Sequence, residues 1–156
     1  MEPVAESLSA MVCDFYDRYR QLPEEKSTLR SSPSGWTLKE IIGHLIDSAS
    51  NNHQRITRLQ LAPELQFPSY ENEKWLAAEK WNRLAWPEIL DLFKQYNLFL
   101  AHLIRNADPN SLKNRWFGRD RSGERIFSLE EMIADYLKHL KEHLAQFEAQ
   151  EKEILK

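Results

Sequence analysis

Trp36-Thr37-Leu38-Lys39-Glu40-Ile41-Ile42-Gly43-His44-Leu45-Ile46-Asp47-Ser48 opens with a complete helix-start signal and continues in helical rhythm. Thr37 and Glu40 form a capping box, in which each side chain satisfies a backbone N–H at the other position, and Trp36 with Ile41 has the spacing of a hydrophobic staple. The same device recurs at Phe127-Ser128-Leu129-Glu130-Glu131-Met132, with Ser128 and Glu131 as the box. Apolar periodicity carries the two helices to about Gln60 and Gln150.

Two further helices follow from the same period. Leu8, Met11, Val12, Phe15 and Tyr19 mark one over Val4 to Arg20. Pro87, at a first helical position, opens another through Ile89, Leu92, Phe93, Tyr96, Phe99 and Leu103. The connections are long. Leu61 to Trp86 holds a short helix around Glu71 to Trp81, between Pro63, Pro68 and Pro87. In Asp108 to Phe127, Arg121-Ser122-Gly123-Glu124 reads as a turn joining strands at Arg115 to Gly118 and Arg125 to Phe127. The expectation is one all-α domain over residues 1–156: a four-helix bundle with long connections, a short extra helix and a small hairpin.

The totals exclude several functions. At 156 residues, 42% apolar and 29% charged, the chain has the balance of a water-soluble globule. No apolar run is long enough to cross a bilayer, and the N-terminus lacks a secretory signal, so no membrane role and a cytoplasmic location are expected. A net charge of -3 with scattered basic residues argues against nucleic acid as a partner. Four glycines leave no phosphate-cradling loop, and the single cysteine, Cys13, excludes a Cys-x-x-Cys motif. Any metal must be held by His or carboxylate.

The five histidines divide by position. Measured around the helix from His44, the apolar residues of the second helix centre near +120°. From His139, those of the fourth centre near +95°, with His143 at about +40°. All three therefore flank their apolar stripes on the same side, and same-sign flanks face each other only between antiparallel helices. His44 lies about 10 Å beyond its cap and His143 about 12 Å before the end of its helix, which sets His44 level with His143 and Ser48 level with His139. His-x-x-x-His stacks two imidazoles on one face, where both can reach a single ion. The pair also arises by chance on solvated helices, so spacing alone leaves metal binding open, and the agreement with His44 favours it. Three nitrogens leave a coordination position free, as in catalytic zinc sites, although imidazole also suits nickel, iron and copper.

His53 and His102 fall off these flanks and are read as surface or interface residues. Asp135, one turn before His139, is placed to accept from its free ring nitrogen, and Asp47 and Ser48 stand in that relation to His44. Asn51, Asn52 and Arg55 continue the polar strip as substrate-binding candidates. Arg55, about 16 Å along the axis, is suited to an anionic substrate and too distant to ligate the ion. No Glu-x-x-His precedes any histidine, which removes the paired motif of di-iron carboxylate bundles.

Together with Tyr136-Leu137-Lys138-His139-Leu140-Lys141-Glu142-His143-Leu144, the opening stretch resembles the DinB-like (YfiT-like) metalloenzyme superfamily over essentially the whole chain. The resemblance implies helices in up-down-down-up order and a metal triad of His44, His139 and His143. It further implies a metal-dependent enzyme with one divalent transition metal, zinc or nickel foremost. Such an enzyme would act on a small-molecule substrate, either as a hydrolase or as an S-transferase in which the metal lowers the pKa of a small thiol cosubstrate. Cys13 would then be a spectator. A homodimer fits exposed helix faces. The alternative is a non-catalytic bundle binding a small ligand or a protein partner.

Overall fold

The computed structural model describes residues 1–120 and 123–154. Helices α1 (Glu2–Tyr19), α2 (Glu24–Ser27), α3 (Leu38–Leu61), α4 (Asn72–Glu79), α5 (Trp86–Arg105) and α6 (Leu129–Ile154) are joined by strands β1 (Glu64–Gln66), β2 (Arg115–Asp120) and β3 (Gly123–Ser128). Both capping boxes form. Glu40 N–H donates to Thr37 Oγ1 at 3.1 Å while Thr37 N–H donates to the Glu40 carboxylate at 2.8 Å, and Ser128 and Glu131 do the same at 3.2 and 2.8 Å.

Side-chain pairs fix the helix directions. Glu2 at the start of α1 meets Arg105 at the end of α5, and Tyr16 meets Asp91, so α1 and α5 are antiparallel. Lys39 near the start of α3 reaches the Leu84 carbonyl just before α5, and Gln60 meets Asp108 just beyond it, so α3 and α5 are parallel. Gln150 donates to the Trp36 carbonyl, which sets α6 antiparallel to α3. The order is up-down-down-up. Phe15, Phe93 and Phe147 meet edge to face at 5.0 and 5.8 Å, and Trp86 stacks on Phe147, locking α1, α5 and α6 at one end of the core.

The all-α expectation requires correction, because a three-stranded sheet ordered β1-β2-β3 sits beside the helices. The hairpin β2-β3 is longer than expected, running antiparallel from Arg115 opposite Ser128 to Asp120 opposite Gly123; the turn residues Arg121 and Ser122 lie outside the described residues. β1 pairs in parallel with β2 through Leu65 and Trp116. It is three residues long, too short for an alternating pattern to register. Gly118 has a steric reason: a Cβ there would lie 1.8 Å from the Trp116 ring.

α3 is the central element. Every residue from Leu38 to Ala49 except Glu40 is buried, polar ones included, because α5, α6 and the α4 region cover it on several sides. Gly43 makes one of these contacts possible, since a Cβ would stand 2.4 Å from the Trp81 ring. His44 is therefore buried, at 1% exposure, and not on a flank as its angular position implies.

Candidate metal centre

Opposite helix directions bring His44 on α3 against His139 and His143 on α6. Ring centroids lie 5.1 Å apart for His44 and His139, 4.7 Å for His44 and His143, and 4.5 Å for His139 and His143. One nitrogen from each ring falls within 4.8 Å of the other two, and the Nε2 atoms of His44 and His139 are 3.2 Å apart. Two nitrogens each about 2.05 Å from one tetrahedral ion would lie about 3.3 Å apart. The donor set and its spacing fit a single borderline transition metal.

Burial and mutual repulsion keep two of these rings, His44 and His139, in the form a metal needs. Burial, then the neighbouring His143 and His139, lower the His44 pKa to about 3. Burial and then His143 lower that of His139 to about 4, with Asp135 and Glu142 pulling weakly the other way. At neutral pH both are uncharged, with lone pairs free for coordination. His143 Nδ1 is 2.8 Å from Gln146 Oε1, which holds the proton on Nδ1 and leaves Nε2 as the donor. Trp36 stacks on His143 at 6.1 Å and leans on His44 at 5.1 Å, so it walls the cluster as well as beginning the helix.

The supporting residues differ from expectation in three ways. The nitrogen of His139 facing away from the cluster, Nδ1, meets Ser48 Oγ at 3.5 Å, whereas Asp135 is exposed and acts on that ring only through its charge. Ser48 therefore serves His139, from level with it, and not His44. Asp47 turns away from the histidines to Glu79 and Trp81; burial and then Glu79 hold its carboxyl well above the usual carboxylate range. The buried His44 Nδ1 has no hydrogen-bond partner among the described residues.

The polar strip divides as well. Asn51 donates to its own helix at the Asp47 carbonyl, 2.9 Å away, while Asn52 donates to the Ser48 carbonyl and also lines a cleft of ≈ 190 Å³ bounded by His44, Ser48, Arg55, Tyr70 and His139. Asp135 lines it from α6. His53 pairs with the Tyr96 hydroxyl at 3.1 Å and His102 sits by Asn106, both apart from the cluster.

Tyr70 was not among the candidates. Its ring lies 6.4 Å from His44, and burial, then Asp47, raise its phenol pKa, so it remains a neutral O–H at the cleft. It belongs to an irregular connection, where no periodicity points to a cleft. Gln146 is one turn beyond His143 and was legible in principle from that spacing.

The DinB superfamily pattern matches residues 13–147. Among solved structures, YfiT from Bacillus subtilis, described as a probable metal-dependent hydrolase with an unusual four-helix bundle topology, superposes with a TM-score of 0.79 over 94% of this chain and 83% of that one. Its sequence identity is 17%, so the likeness is one of fold. No curated protein matches this chain.

Proposed function

This chain belongs to the DinB superfamily, and from that premise we propose that it is a metal-dependent enzyme in which His44, His139 and His143 hold one divalent transition metal, zinc or nickel. The observation that carries the reading is the meeting of three ring nitrogens within 4.8 Å on two antiparallel helices. An ion held there by His44, His139 and His143 would supply Lewis acidity, lowering the pKa of a small thiol or a water by several units.

The chain's own residues do the rest. Three imidazoles leave room for a ligand on the cleft side. Gln146 and Ser48 orient the rings of His143 and His139. Trp36 shields one side from solvent, and the Tyr70 hydroxyl offers a proton donor at the cleft. None of these residues selects the nucleophile, so thiol transfer and hydrolysis are separated by assay.

Elemental analysis of the purified protein should find about one metal per chain, with His44→Ala reducing it to background. Retention of metal in that variant would remove the reading. Activity towards a broad electrophile should then require metal, be abolished by chelator, and depend on added thiol only if the reaction is a transfer.

A further inference from the structure

We propose that Arg55 is the anion-recognition residue of the metal cleft, so that the substrate is a small molecule carrying a carboxylate, or a comparably compact oxyanion, at the end remote from its reacting group. The inference deepens the metal-enzyme reading and relies on it only for what happens at the other end of the cleft.

Arg55 lies eleven residues after His44 on α3, a rotation of about 20° beyond three full turns and about 16 Å along the axis. The two therefore share one face, and both line the ≈ 190 Å³ cleft. Both side chains lean towards the N-terminus, and the longer reach of the arginine shortens the gap. The cleft has room for about six water-sized volumes, which suits a short ligand reaching from ion to guanidinium.

The guanidinium is prepared for a guest in a way a structural arginine is not. It lies 4.8 Å from the Trp116 ring centroid on β2 and 5.7 Å from that of Phe67 in the segment after β1. Its Nη2 makes only a long contact, 3.5 Å, to the Pro68 carbonyl, and its buried Nε has no acceptor among the described residues. None of their carboxylates pairs with it. Burial lowers the Arg55 pKa from the ordinary arginine value, with Tyr70 and Asp135 acting weakly in the other direction. A half-buried cation without a counter-ion among the described residues is unfavourable unless a ligand supplies one. Asp135, exposed at the edge of the cleft, supplies one negative charge to its lining, so with a divalent ion bound beside Arg55 the balance of charge would be positive.

The anion could belong to the thiol or to the molecule attacked, and matched probes distinguish these sources. Tryptophan fluorescence of chelator-treated protein would compare butyrate with butyramide, and 3-mercaptopropionate with its amide. Hydrolysis by metal-loaded protein would compare a p-nitrophenyl glutarate half-ester with p-nitrophenyl butyrate. Wild type should prefer the charged member of at least one pair by about 10-fold or more, as for a charge-assisted hydrogen bond. Arg55→Gln should bring that ratio to about one, and Arg55→Lys should retain part of it. An arginine that only braces Trp116 would lose thermal stability on substitution and leave the ratio untouched. An unchanged ratio in Arg55→Gln, or no preference in wild type for any pair, overturns the proposal. If Arg55→Gln does not fold, an unchanged ratio in Arg55→Lys, which lacks the planar fork, overturns it equally. Absence of metal from wild type with the preference intact would sink the metal reading and leave this one standing.

Discussion

At the scale of single residues, two polar side chains carry separable consequences. Gln146 fixes which nitrogen of His143 is free, so Gln146→Ala should weaken zinc affinity about 10-fold without altering the fold, as read by competition with a coloured chelator. Asp47 is a matter of stability. It is 3% exposed and keeps its proton in the folded state, whereas the unfolded chain releases it above about pH 3.9. The unfolded state therefore binds fewer protons between that value and the raised one, and stability falls as pH rises through the window. Asp47→Asn removes this dependence. In metal-free protein it should be more stable than wild type by more than about 1 kcal/mol at pH 7.5, with the difference vanishing near pH 4 in urea titrations. A difference constant across pH would show that the carboxyl is already ionised in the fold. The histidines act with the opposite sign. Their folded pKa values of about 3 and 4 lie below the unfolded 6.5, so acidification favours the unfolded state. His44 alone costs about 2 kcal/mol between pH 6.5 and 5.

At the scale of elements, α3 is unusual in being covered on several sides, and Gly43 shows how tightly. Gly43→Ala gains about 1 kcal/mol of helix propensity, but its methyl enters the space of Trp81, whose indole N–H is tied to Glu79 at 3.0 Å. A net destabilisation of about 1–2 kcal/mol is expected, with a changed near-UV circular dichroism signal from the displaced indole. A neutral result would mean that the turn at Trp81–Arg83 yields easily. The sheet has a comparable positioning role: β2 brings Trp116 to the cleft, and through it the Arg55 guanidinium. The two capping boxes were legible because each is a contiguous pattern whose hydrogen bonds are local. Strand β1 was not, since three residues carry no period and its partner lies about fifty residues away.

Over the whole molecule, the histidine cluster ties the middle of α3 to the last helix of the chain. An ion bound there would stabilise the folded state by mass action, about 2.7 kcal/mol at a free concentration one hundred times Kd. For a domain of this length the melting temperature should rise by about 5–10 °C on adding zinc or nickel and return on adding chelator. His44→Ala should abolish the shift. An unchanged melting temperature in wild type with saturating metal would contradict a site spanning both helices.

The sequence by itself determined the four long helices, the capping boxes of two of them, and the three imidazoles together with the register that makes them meet. Those features depend on helical period and local hydrogen bonding, which adjacent residues specify. The tertiary structure alone decided that His44 is buried, that Ser48 and not Asp135 meets the ring of His139, that Asp47 turns to Glu79, that Tyr70 lines the cleft and that Trp36 packs on His143. Each of these depends on which neighbour covers a given face of α3, and that pairing is set by tertiary packing, not by helical period.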